Sequence, residues 1–213
     1  MKKDKILPRK KSFKFIITNL FFIGLLAILY LSSNISIFTF GFLFDILFYI
    51  GLVSLIYFFI GNDFIKNIFF TIFGTIVTFL YNVDHIYYGM FSKFTSASSI
   101  ANIDMVLDNF QSYEISIDSI NVFMLSLLFI FILFLFIYKE DNKRFIERLR
   151  YFVPMLLIAV PFVVIYLLCY HDQLFLDLLL FPKRHKFPSF IDNFGYVFYR
   201  YEDIMVVIES LGG

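Results

Sequence analysis

Five runs of almost unbroken apolar residues, at 15–31, 38–60, 64–81, 122–138 and 151–169, leave this chain few ways to fold. Each approaches the roughly 20 residues that carry a helix across a bilayer. Lipid offers no partner to a bare backbone N–H or C=O, so a segment that crosses it closes its hydrogen bonds internally, as a helix does. The charged share is only 16%, where a soluble domain carries roughly a quarter. The sequence therefore predicts an all-α membrane protein. It has five transmembrane helices, an extracytoplasmic amphipathic helix between the third and fourth, and short helices after the fifth.

The connectors set the orientation. Residues 1–14 form a basic arm, with seven basic residues against one acid. A signal peptide is the competing reading of this arm and the run that follows. The run is longer than a usual signal core and no small-x-small cleavage site follows it, which favours an uncleaved first span. Ser32, Ser33 and Asn34 make a polar turn, and Gly61, Asn62 and Asp63 make the next. Lys66 stands near the start of the third span, where a lysine can snorkel to the interface. Residues 139–150 form a charged connector. With the N-terminus cytoplasmic, thirteen of the eighteen basic residues lie on the cytoplasmic side, as the positive-inside bias requires. The outer loop 82–121 and the tail 170–213 are then extracytoplasmic. Both are expected to face the outer surface of a bacterial cell membrane.

Residues 80–121 are the one long polar insertion. Within it Ile100, Ile103, Leu107 and Phe110 recur at helical spacing, with Ser98 or Ser99 as the cap. That predicts a short amphipathic helix with an acidic polar face, lying on the leaflet or on the bundle. In the tail, residues 173–181 read as an interfacial helix stopped by Pro182. A basic cluster follows, Lys183, Arg184, His185 and Lys186. It suits either lipid phosphates or a solvated turn. After Gly195 a helix is expected over 202–211, with Ile204, Val207, Ile208 and Leu211 on one face. The closing Gly-Gly reads as the start of a linker.

Chemistry-bearing residues are sparse. Asp45 lies about 10 Å inside the second span at 1.5 Å per residue. An ionisable residue at such depth is a functional candidate by default; the plainer reading is an Asp that faces the bundle interior, or reaches the outer interface, with a hydroxyl or amide partner. Pro154 and Pro161 lie on about one face of the fifth span and would kink it. Cys169 is the only cysteine, so no internal disulfide forms. No CxxC, GxSxG, HExxH, P-loop or GxGxxG occurs. Asp84-His85 and His171-Asp172 could build a metal site only by meeting across the loops; hydrogen bonds to water and headgroups are the plainer role. Tyr87, Tyr88 and Tyr113 fit an interfacial aromatic belt. The candidates for lipid-interface or domain contact are Asp45, Asp84, His85, Tyr87, Tyr88, Lys183, Arg184, Lys186, Arg200 and Asp203. The chain itself shows no catalytic, cofactor-binding or metal-ligating set, and nothing in its charge points to nucleic acid.

At residues 79–94, FLYNVDHIYYGMFSKF, the sequence resembles the outer end of the third span in lipoteichoic acid synthases. Asn82, Tyr87, Tyr88, Phe91 and Phe94 carry the likeness, with the Ser/Thr-rich turn at 95–99. The tail from Phe194-Gly195-Tyr196 to Tyr201-Glu202-Asp203 resembles the step that leads those enzymes into their linker. Gly89 stands where the family usually has Arg, and residues 112–121 depart from it. Phosphoethanolamine transferases share a similar plan and are the neighbouring alternative. The resemblance implies a membrane-anchoring half of a sulfatase-like phosphoglycerol transferase, which polymerises glycerol phosphate taken from phosphatidylglycerol. The family's threonine nucleophile and divalent metal, typically manganese, belong to an extracytoplasmic domain outside these 213 residues. No catalytic or metal residue is therefore carried over. The partners implied are membrane lipids and a sulfatase-like domain, covalent or separate. Two other readings compete: a stand-alone membrane scaffold, and a small transporter with a water path through Asp45.

Overall fold

The computed structural model describes residues 13–91, 94, 117–142, 144–160, 163 and 194–212, with side chains 91, 202, 206, 207 and 209–212 left aside. Among these residues the regular structure is entirely helical. Four helices are long and apolar enough to cross a membrane. They are α1 (Phe13–Ser32), α2 (Phe40–Phe59), α3 (Asp63–Phe91) and α4 (Ser119–Ile137). This is the make-up of a multi-pass membrane protein. The expected amphipathic helix of the outer loop, the interfacial helix at 173–181, Cys169, His171, Tyr113 and the basic cluster at 183–186 lie outside the described residues.

Polar side chains and turns end these helices where the apolar runs end. After α1, Asn34 adopts φ 53°. Ile35 N–H then donates to the Tyr30 carbonyl at 2.9 Å and Asn34 N–H to the Leu31 carbonyl at 3.2 Å. This is the paired closure of a Schellman motif, with Asn tolerating the left-handed position. Thr39 caps α2 by accepting from Phe42 N–H. Asn62 Oδ1 accepts from Phe64 and Ile65 N–H at the start of α3. Asp118 and Asn121 form a capping box on α4.

α1 sits at the centre of the bundle, packed on α2, α3 and α4. Phe22, Leu25, Leu26, Leu29 and Tyr30 recur at i, i+3, i+4, i+7 and i+8 and are all fully buried, the spacing of one helix face. Rows such as Ile68, Ile72, Ile76 and Phe79 on α3, or Phe129, Ile130 and Leu133 on α4, are exposed. They are the surfaces a bilayer would cover.

The region of the fifth run is not a single regular helix where it is described. From Phe145 to Ile158 the backbone alternates α turns (Phe145–Arg148, Phe152–Met155) with 3₁₀ turns (Leu149–Tyr151, Leu156–Ile158). Pro154 has no N–H to give. This stretch packs on α2, and a Cβ on Gly51 would come within 2.5 Å of the Ile158 backbone nitrogen. Arg148 donates to the Phe58 and Phe59 carbonyls, closing the end of α2.

At the end of the bundle where α1 and α3 begin, charged groups interlock. Lys14 Nζ lies 3.0 Å from both Asp63 carboxylate oxygens. Lys66 Nζ lies 3.7 Å from Asp63 and 3.7 Å from Glu140, and 4.4 Å over the Tyr57 ring. Lys66 is buried: it turns inward to these partners rather than snorkelling outward. Asp63 also accepts from Glu140 N–H, while its own N–H donates to Asn142 Oδ1.

The helix of the third span does not stop near Tyr81. α3 continues to Phe91, and at 29 residues it is about 43 Å long. The polar residues at 82–85 look like loop in sequence. Each of Asn82, Asp84 and His85 instead finds a partner to its side.

Candidate functional site

The last helix, α5 (Tyr196–Gly212), starts against the flank of the bundle. It begins earlier than the expected 202–211. Its first turn is where most of the described candidate residues meet.

A helix begins with backbone N–H groups that have no partner of their own, and its N-terminus carries partial positive charge. Side chains at the N-cap commonly satisfy them. Here Gly195 has no side chain, and the cap comes from α2. Asp45 accepts from Tyr196 N–H at 2.7 Å and from Val197 N–H at 2.9 Å. Tyr30 on α1 adds its hydroxyl, which donates to Asp45 at 2.8 Å. Asp45 is 1% exposed. One acidic side chain thus ties α1, α2 and α5 together.

Gly195 makes this approach possible. Its φ is +89°, a region L side chains rarely adopt. A Cβ there would stand 2.6 Å from both Asp45 Oδ1 and the Gly41 carbonyl oxygen. Conformation and space each demand glycine.

One turn further along, Arg200 pairs with Asp84 of α3. Asp84 is fully buried and also accepts from the Tyr196 hydroxyl. Arg200 Nε donates to the Tyr196 oxygen at 2.8 Å, and its other arm reaches Asp203 at 3.4 Å. Burial, then the Asp84 charge, push the Tyr196 phenol well above its usual range, so it stays protonated and donates. Burial pulls the Arg200 guanidinium down, but Tyr196 and Asp84 more than offset this, and it stays charged. Aromatic rings fill the space around these groups. Tyr81 and Phe94 meet the Tyr196 ring edge-on at 5.2 and 5.3 Å. The Tyr49 and Tyr81 hydroxyls bond each other at 2.6 Å.

Beside this cluster α3 is laced to α4. Asn121 Nδ2 donates to Asn82 Oδ1 at 2.9 Å, and His85 Nε2 lies 2.9 Å from Asp118. Partial burial works to raise the Asp118 carboxyl, but the His85 hydrogen bond and the backbone donors of its cap outweigh it and hold the group below its usual range.

The structure therefore brings Asp45, Asp84, Arg200 and Asp203 into one place, within two turns of α5. His85 turns to Asp118 rather than to headgroups. Tyr87 and Tyr88 are half-buried on the last turns of α3, where Tyr88 packs 5.5 Å from the Phe94 ring. Among the described residues no group of three or more His, Cys, Asp or Glu is placed to hold a metal ion. The sequence reading did not single out Tyr30, Tyr49 and Tyr81. The signal was present: Tyr49 stands deep inside an apolar run, away from the interfacial belt where tyrosine is commonest. A buried phenol needs a hydrogen-bond partner.

No protein-family model, no curated protein and no solved structure matches this chain.

Proposed function

We propose that this chain is the membrane-anchoring part of a lipoteichoic-acid-synthase-like phosphoglycerol transferase in a bacterial cell membrane. Its N-terminus is cytoplasmic, and its outer loop and tail face the extracytoplasmic side. Catalysis, the divalent metal and the phosphatidylglycerol-derived substrate then belong to a sulfatase-like domain beyond these residues. The observation that carries this reading is the use made of the buried ionisable groups at the Asp84 end. Asp45 caps α5 and Asp84 neutralises Arg200. Their chemistry is spent on holding a helix after the spans in a fixed place. An anchor needs this feature, because tethering raises the effective concentration of an active site over a substrate confined to the membrane. The transporter reading needs a water path to Asp45, whereas Asp45 is sealed and bonded on both oxygens.

The test is the native C-terminus, read from the coding frame past Gly213 and by mass in the source membrane. Continuation into a metal-binding domain with a nucleophilic threonine supports the anchor reading. So does a separate sulfatase-like protein captured on α5, with glycerolphosphate polymer lost on depletion of this chain. A chain that ends at Gly213, captures no such partner and leaves the polymer unchanged on depletion refutes it and leaves the scaffold reading.

A further inference from the structure

Between α2 and the first turns of α5 runs a half-open groove of about 280 Å³. Phe44 and Phe48 form one wall, and Phe194, Phe198, Tyr201 and Ile204 form the other. Asp45 and Arg200 border it, but the oxygens of Asp45 are turned to the backbone of α5 and the guanidinium of Arg200 to Asp84. What the groove offers is almost wholly apolar. It is far larger than the roughly 10–15 Å³ that admits one water, and an apolar space of this kind does not hold water well.

Depth decides what fills it. Phe48 and Phe44 stand about 18 and 24 Å along α2 from Ile60, at 1.5 Å per residue. The hydrocarbon core of a bilayer is about 30 Å thick. In a bilayer crossed by α2, the groove therefore lies at hydrocarbon depth in the leaflet on the Asp84 side. Ile204, on the groove wall, is 53% exposed. A continuous aromatic and aliphatic lining at this depth matches one ligand chemistry, a saturated or unsaturated hydrocarbon chain.

We propose that this groove is a binding site for one acyl chain of a membrane phospholipid, seated between α2 and α5. It is distinct from the loose lipid contact of an ordinary exposed helix face, because two elements enclose the chain. The site stands apart from the transferase reading and survives its failure. A lipid held here would touch α2 and α5 together, and so bear on the same contact that Asp45 and Gly195 make.

The test uses the full chain in phosphatidylcholine nanodiscs doped with a phosphatidylcholine that carries a diazirine in mid-chain. Adducts are mapped by peptide mass spectrometry. Ile76 and Phe79 are the internal control: they stand about 20 and 24 Å along α3 from Asp63, at matching depth, and are 58% and 68% exposed. Labelling of Phe48, Phe198 and Ile204 is expected to exceed that of the control pair at least threefold. Ile204→Trp, which fills the groove from its exposed rim, is expected to lower labelling at Phe48 and leave Ile76 and Phe79 unchanged. Equal labelling of groove and control residues in the wild type overturns the proposal, whether or not the variant folds. A second overturning result comes from a photoreactive benzophenone at position 48: capture of residues 164–193 of the same chain, in place of lipid, shows that the protein itself covers the groove.

Discussion

The two ends of the bundle solve one problem, a buried charge, in opposite ways. At the Asp63 end, Lys14, Asp63, Lys66 and Glu140 pair among themselves. They join the starts of α1 and α3 to the residues just after α4, so everything they hold is part of the bundle. At the Asp84 end, the acids of α2 and α3 reach past the spans to α5. Asp45 holds backbone and Asp84 holds a guanidinium. The first arrangement staples a membrane domain to itself, and the second fastens something else to it. The difference shows that an ionisable residue inside a span need not serve transport. It can serve as the anchor point of a segment that arrives 150 residues later.

The comparison breaks most visibly at Asp84. Asp84→Asn takes from Arg200 its nearer carboxylate and leaves Asp203 at 3.4 Å, in a site where the Arg200 side chain is 13% exposed. Breaking such a buried pair costs about 3–5 kcal/mol. The loss is expected in the docking of α5: trypsin cuts after Arg200 at least tenfold faster, while the heat-unfolding midpoint of the four spans in detergent moves little. The double variant Asp84→Asn with Arg200→Met should regain part of the docking, read by cleavage with a protease that does not need Arg, because the guanidinium that has lost its Asp84 charge is then gone.

Gly195→Ala should cost about 2–3 kcal/mol of the same docking, since it adds backbone strain at positive φ to a close contact. The readout is again cleavage in α5, with the spans intact. Asp63→Asn tests the other end. Lys66 keeps Glu140 and Lys14 can extend toward water, so the cost is about 2 kcal/mol. It should appear as a lower unfolding midpoint of the whole bundle, with cleavage after Arg200 unchanged until the spans melt. If Asp63→Asn freed α5 as readily as Asp84→Asn does, the two ends would not be separate devices. Asp45→Asn removes one acceptor and keeps the shape, at about 1–2 kcal/mol. It should loosen α5 less than Gly195→Ala.

The smallest expected effect is at Asp118. Its carboxyl is held below the usual range in the folded chain, so the tie is present above the unfolded value of about 3.9. It is lost as pH falls through the depressed folded value. The side chain is 45% exposed, and solvent screening keeps the effect small. Asp118→Asn, which still caps α4, should flatten the acid limb of the unfolding midpoint and change it little at pH 7.

The four long helices were legible because a run such as 122–138 has one reading in lipid. The turn at Ser33 and Asn34 was equally plain, since polar residues break the run there. The lateral partners were not. α2 and α4 are apolar on every side, so no stripe marks which face turns inward. Asp45 could be flagged as buried with a hydroxyl partner, which Tyr30 supplies, but its other two donors are backbone amides beyond Gly195, and a backbone donor leaves no mark in sequence. The end of α3 was missed for a related reason. Asn82, Asp84 and His85 read as loop because polarity signals water when partners are unknown. In the fold those partners are Asn121, Arg200 and Asp118. The glycine at 195 was visible only as punctuation, and its reason for being glycine is Asp45.

The distance along α3 from Asp63 to Asp84 is about 31 Å, close to the thickness of a bilayer's hydrocarbon core. The two charged clusters therefore act as fixed gauge marks on one rigid helix. In a membrane several ångströms thicker, one cluster is drawn into lipid or the bundle tilts; in a thinner one, apolar turns stand in water. Either mismatch costs fractions of a kcal/mol per ångström. A bilayer whose core is close to that spacing would seat both clusters at its faces, and a change in lipid chain length would act on the chain at both ends at once.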